Sequence, residues 1–167
     1  MPLTEPFRPV VKEVQTPPIY LLKQINIYMV GAKADQQLLR ETIGLHTCDK
    51  RSPKASIEAE YPLYTFEPSF APGDDPLWQA DWRESNTARN ARLRDLLQDI
   101  FRHDGNTVLS LTAHSGAIQS ILGVTGHRDF KLLTGAMVPV FVRVEKVAGK
   151  LPRMEVDPPE GKPDCSK

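Results

Sequence analysis

The chain has 167 residues, 40% hydrophobic and 25% charged, enough for one domain with a core of its own. Its 21 basic side chains are balanced by 21 acidic ones, which excludes the global positive field that gathers nucleic acid or an anionic membrane, so any anion site must be local. Two distant cysteines, Cys48 and Cys165, exclude a disulfide framework, and with no membrane-length apolar run and no leader pattern a cytoplasmic or nuclear setting is expected.

The chain opens with proline-rich MPLTEPFRP, followed by FRPVVKE and then YLLKQINIYMV, which reads as a short helix or strand. Next comes LLRETIG, where Gly44 can open a turn, and then HTCDKRS. Residues 53–76 carry proline, glycine, aromatics and acids without sustained periodicity. They predict a long loop of the kind that forms a lid or substrate wall, with a short helix near Pro76. Leu93, Leu96, Leu97, Ile100 and Phe101 have the one-face spacing of an amphipathic helix. Arg89, Arg92, Arg94, Asp95 and Asp99 mostly fill its other face. A turn at Asp104-Gly105-Asn106 leads to a buried strand at 107–112 and a second helix bearing Ala117, Ile118, Ile121 and Leu122, which Gly123 and Gly126 weaken and end. Residues 138–147 alternate Val140, Val142 and Val144 inward with Arg143 and Glu145 outward, a strand. This βα succession predicts an α/β fold with a mainly parallel sheet and right-handed crossovers. The proline-rich, charged residues 150–167 read as a disordered tail.

Chemistry concentrates at Ala113-His114-Ser115-Gly116, where an apolar strand meets a helix. Ligands of open α/β sheets lie beyond the carboxyl ends of strands. Free N–H groups of Ser115, Gly116 and Ala117, with the helix dipole behind them, would favour an anion, and His114 could donate to a phosphoryl oxygen. The same pattern fits a capping or packing histidine. It also imitates G-x-S-x-G with alanines at its ends, but His127 and Asp129 come too soon and in the wrong order for a serine esterase. Upstream, Glu41 could act as a general acid if burial raised its pKa, or it could be a solvated helix-end glutamate. Lys50 and Arg51 add local positive charge. His46 and Cys48 lack a second ligand pair, so no metal is implied.

LTAHSGAIQSIL, GHRDFKLLTGAMVPVFVRV and LLRETIGLHTCDKRS together resemble the histidine phosphatase superfamily, in particular its fungal phosphoglycerate mutase-like branch. The resemblance covers residues 38 to about 147. It implies a three-layer α/β/α fold around a mostly parallel sheet, and phosphoryl transfer from a phosphomonoester to a histidine and on to water or another hydroxyl. It implies no metal or organic cofactor, and as partner a phosphorylated small molecule or phosphopeptide. By position, His114 matches the second histidine of the phosphate pocket and Glu41 the acid/base carboxylate. Arg40 is a candidate phosphate contact, as are Ser115 and Gly116 of the His114 junction.

Family members begin with a strand leading into Arg-His-Gly, whose histidine is the nucleophile. The four histidines here are His46, His103, His114 and His127, none in that context. The expectation is a fold without its first strand and helix, marginally stable and catalytically silent, or an interaction module that has lost its chemistry. The domain reading is therefore an unmatched 1–37, a histidine phosphatase-like 38–149, and a tail from 150. Within the first part, residues 14–37 interrupt an approach that otherwise runs from FRPVVKE to LLRETIG. Valine codons begin with GT and glutamine can be CAG, so the segment reads as a retained in-frame intron, the alternative being a genuine insertion in which YLLKQINIYMV packs as a short helix or strand. Mature message should then lack these codons, and cDNA that carries them throughout would overturn the reading.

Overall fold

The computed structural model describes residues 37–105, 108–128, 131–146 and 152–161, together with strands at Phe7–Val11 and Ile27–Tyr28. In chain order the elements are β1 (Phe7–Val11), β2 (Ile27–Tyr28), a single 3-10 turn (Thr47–Asp49), α1 (Lys54–Glu60), β3 (Trp82–Arg83) and α2 (Asn86–His103). They continue with β4 (Leu111–Thr112), α3 (Ser115–Val124), β5 (Val142–Lys146) and β6 (Glu160–Gly161).

Helix α2 is the organising element. Ser85 caps it, its hydroxyl accepting from the Ala88 amide at 3.2 Å, and Arg102 and His103 sit in the last turn where the helix dipole favours cations. Leu93, Leu96, Leu97 and Ile100 are buried along one stripe. Leu93, Leu96 and Ile100 pack with Leu39 from the preceding segment and Ala117 from α3, and Leu38, Leu109, Leu111, Ala113 and Ile121 close around them. Leu39, Leu93, Leu96 and Leu122 are fully enclosed, each contributing about 1.5–3 kcal/mol of apolar transfer. The core thus lies between α2, α3 and the segment that carries Glu41.

The coarse expectation of a mixed α/β chain holds, and the sheet differs in detail. Every strand pairing among the described residues is antiparallel and two-stranded: β1 with β5, β2 with β4, and β3 with β6. The expected parallel crossovers are not among them. The strand expected over 107–112 is reduced to Leu111–Thr112, and residues 106–107 lie outside the described set. In and around β5 the forecast alternation is present, Val140, Val142 and Val144 being half-buried while Arg143 and Glu145 are exposed.

Three local expectations need correction. Residues 53–76 are not all loop, since α1 occupies Lys54–Glu60, and no helix begins near Pro76. Helix α1 escapes a periodicity search because it is two turns long, with Ile57 its only large apolar residue and nothing fully buried. Residues 152–161, inside the stretch expected to be disordered, run back to α2. The Asp157 carbonyl accepts from the Ser85 hydroxyl at 3.0 Å, the Asp157 amide donates to the Thr87 hydroxyl at 2.7 Å, and β6 pairs with β3. Residues 147–151 and 162–167 lie outside the described residues, as does most of 14–37; of the latter, Ile27 and Tyr28 pair with Thr112 and Leu111.

Candidate functional site

Two arginines on α2, one turn apart, fix the segment that carries Glu41. Arg92 spreads its guanidinium over the Glu84 carboxylate, with bonds of 2.8 and 2.6 Å. It also donates to the carbonyls of Leu38, Arg40 and Glu41, the last at 3.1 Å. Glu84 in turn accepts from the Ile43 amide at 3.2 Å, while its own amide donates to the Ile43 carbonyl at 2.8 Å. The chain then turns at Gly44, whose φ of +96° suits glycine and where a Cβ would run into the Trp82 carbonyl. The carbonyls of Leu38, Arg40, Glu41 and Ile43, which a bend would otherwise leave orphaned, are thereby engaged.

This grip delivers the Glu41 carboxylate to the first turn of α3. Its oxygens accept from the Gly116 amide at 2.8 Å, the Ala117 amide at 3.4 Å, the Thr42 amide at 2.9 Å and the Thr42 hydroxyl at 3.0 Å. Arg89 lies 3.5 Å away. A Cβ on Gly116 would collide with the carboxylate, so glycine is required for this approach. Two of the three amides expected to await an external anion, those of Gly116 and Ala117, are thus capped by the chain's own carboxylate. The physical reason is the partial positive charge of a helix N-terminus, which takes the nearest carboxylate. Burial alone would push the Glu41 pKa up. The Thr42 and Gly116 amides, the Thr42 hydroxyl and the Arg89 charge outweigh it and hold the carboxyl below its ordinary value. Glu41 is therefore ionised at neutral pH in this arrangement, and the rise that acid catalysis would need is not supplied by burial.

Arg40 points the other way. Its guanidinium makes a two-point pair with Asp75, 2.9 Å on one arm, and donates to the Asp49 carbonyl at 2.6 Å; the two side chains are 5% and 0% exposed. Its charge is matched by Asp75. Asp75 also accepts from the Arg51 amide at 2.9 Å and the Leu77 amide at 3.1 Å. Asp49 pairs with Arg83 at 3.0 Å. These contacts tie HTCDKRS into one wall.

In front of α3 lies a cavity of about 280 Å³, lined among others by Glu41, Lys50, Arg51, Tyr61 and His114. His114 is exposed, occupies the N-cap position of α3 with extended backbone (φ −73°, ψ 163°), and makes no capping bond with its side chain. Ser115 is exposed at the first helical position. Glu41, His114, Ser115 and Gly116 are therefore brought together, whereas Arg40 reaches the cavity with its charge already matched. Cys48 lines the cavity too, as a free exposed thiol. Among the described residues no three His, Cys, Asp or Glu side chains converge as a metal site, and no helix is long and apolar enough to cross a membrane.

A probable phosphoglycerate mutase of Arthroderma benhamiae is 56% identical over 110 residues, covering 66% of this chain and 32% of that protein. Phosphomutase-like protein 3 of Candida albicans is 36% identical over 111 residues, 66% of this chain and 35% of its own length. A probable phosphoglycerate mutase of Saccharomyces cerevisiae is 36% identical over 118 residues, 64% of this chain and 40% of its own length. Over the matched part, the chain is phosphoglycerate mutase-like. This agrees with the histidine phosphatase resemblance of its motifs. The chain spans about a third of the length of these curated relatives. No family model matches it, and no solved structure matches it.

In this phosphoglycerate mutase-like segment the residues that sequence reasoning missed are Thr42, Asp75, Glu84, Arg89 and Arg92, none of which touches the cavity directly. Arg89 was assigned to the outer face of α2, yet it is buried. It stands four residues before Leu93, in line with the apolar stripe, so the helical spacing carried the signal. The buried pair generates a test. Asp75→Asn leaves the Arg40 charge uncompensated and should cost about 3 kcal/mol in denaturant unfolding. Burial alone would raise the Asp75 pKa, but Arg40 and the Arg51 amide hold it below the ordinary value, as at Glu41. Both folded pKa values lie under their unfolded ones, so their contribution is complete above about pH 5 and is lost as pH falls through about 4 and lower. Wild-type stability should decline over that acid range more steeply than that of Asp75→Asn; parallel curves would contradict the assignment.

Proposed function

We propose that this chain carries the acid and second-histidine half of a phosphomonoester site. One observation supports the reading above the rest: Glu41 and His114, far apart in sequence, line one cavity at the start of α3 beside Lys50 and Arg51. In this reading the phosphoryl oxygens accept from His114 and from the amides of Ser115 and Gly116, the latter released by Glu41 as the ligand enters. Released from those donors and left half-buried, Glu41 takes up a proton and serves the leaving oxygen as its acid. The names of the matched relatives, phosphoglycerate mutase and phosphomutase-like protein, accord with phosphoryl chemistry. We read α2, β4 and α3 as part of the three-layer α/β/α arrangement, with its mostly parallel sheet, that the resemblance implies.

The nucleophile of that chemistry would be a histidine in an Arg-His-Gly context, and no histidine of the 167 residues stands in one. The chain itself is therefore proposed to bind a phosphomonoester without turning it over, since the members of such a constellation act as a unit. A non-catalytic binding module is the same reading taken to its limit. Titrating inorganic phosphate while following the Gly116 and Ala117 amides by NMR tests it. Saturable shifts are expected, weakened about tenfold in His114→Ala through loss of one charge-assisted hydrogen bond. Unmoved amides would overturn the site, and turnover of 4-nitrophenyl phosphate by this chain, abolished in His114→Ala, would overturn its silence.

A further inference from the structure

We infer that Arg89 is the positioning residue for Glu41: it anchors that carboxylate at the seam between α2 and α3, beside the amides a phosphoryl group would compete for. The inference rests on reading Glu41 as the acid of the proposed site and adds a residue outside the cavity that governs it.

Three contacts carry the argument. The Arg89 Nε donates to the Ser120 hydroxyl at 2.9 Å, one Nη donates to the Thr42 hydroxyl, and the same Nη stands 3.5 Å from the Glu41 carboxylate. Ser120 is four residues after Gly116, so it lies on the same face of α3 one turn below the amide that Glu41 caps. Arg89 therefore spans from the body of α3 to the side chain at its N-terminus, and the planar fork of a guanidinium holds both ends at fixed separation. Thr42 completes the frame, its hydroxyl accepting from Arg89 while donating to Glu41. Arg89 and Ser120 are 7% and 3% exposed. A buried cation with one hydroxyl on each arm and a carboxylate within reach is costly as packing alone. Its placement makes sense if the charge itself acts on Glu41.

The other charges around Glu41 are arranged so that Arg89 has little competition. Helix α3, Ser115–Val124, brings no charged side chain. From α2, Arg92 meets the Glu41 carbonyl and spends its charge on Glu84. Arg40, the neighbour in sequence, is paired with Asp75. On the cavity side stand the cationic Lys50 and Arg51, the acids Asp49 and Glu60, and His114, Tyr61 and Cys48. Burial pulls the Arg89 pKa down, Glu41 and Glu84 oppose that, and Arg92 and Arg83 add to it; the guanidinium stays charged.

The test is a ¹³C NMR titration of the Glu41 carboxyl in the 167-residue chain, with the Asp75 carboxyl as internal reference. Arg89→Gln should raise the Glu41 midpoint by about one pH unit and leave Asp75 unmoved, and Arg89→Lys should restore most of the difference. A Glu41 midpoint unchanged in Arg89→Gln, or Glu41 and Asp75 moving together as in general loosening, would overturn the inference. Should Arg89→Gln fail to fold, Ser120→Ala removes only the Nε anchor; a raised Glu41 midpoint supports the inference and an unchanged one overturns it. The titration contains no phosphate, so its outcome is separate from that of the proposed ligand.

Discussion

The site depends on the hold that α2 exerts on the six residues from Leu38 to Ile43. Arg92 binds their backbone from outside, through the Leu38, Arg40 and Glu41 carbonyls, and Leu39 fills the core from inside. Neither contact would suffice alone. A buried leucine fixes depth without direction, and a guanidinium on carbonyls fixes direction without depth. Together they leave the Arg40 and Glu41 side chains pointing opposite ways, one to Asp75 and the other to α3. The opposite placement that separates a structural arginine from a candidate acid is thus a property of one short bent segment pinned at both faces.

Electrostatics then decides what Glu41 does there. A carboxylate half-buried among apolar atoms would be neutral and ready to give a proton; this one is met by two amides of α3, an amide and a hydroxyl of Thr42, and a guanidinium. Such an environment favours the charged form. The carboxylate acts as the helix's own anion, and any phosphoryl group that enters must contend with it for the same donors. Competition of this kind couples binding to protonation, because taking the amides away from Glu41 leaves its charge poorly compensated. Gly116 is the steric condition for the whole arrangement.

Much of this could be anticipated from the residues. The apolar stripe of α2, the strand-to-helix junction at His114, and the pairing of an AHSGA motif with a distant RETIG follow from spacing and from resemblance to a known family. What stayed hidden has physical reasons. Arg89 and Arg92 share the helical phase of Leu93 and Leu96, yet a charged side chain is discounted when an apolar face is counted, although guanidinium groups are buried readily when carbonyls and carboxylates receive them. Helix α1 is too short and polar to leave a period. The hold on residues 152–161 comes from hydrogen bonds to Asp157 and Pro152 and a two-residue strand pairing, none of which composition records. The turn at Gly44 was legible, but not that Trp82 makes glycine obligatory there.

The central claim is that the Glu41 carboxylate, ionised, sits on the first amides of α3. The most direct measurement is the pH dependence of the Gly116 backbone amide shift in wild type and in Glu41→Gln. The account predicts that the wild-type amide moves with a midpoint below the ordinary glutamate range, about 4.3, and that this transition vanishes in Glu41→Gln. A Gly116 amide insensitive to acid pH in the wild type, or one that titrates equally in both proteins, would contradict it.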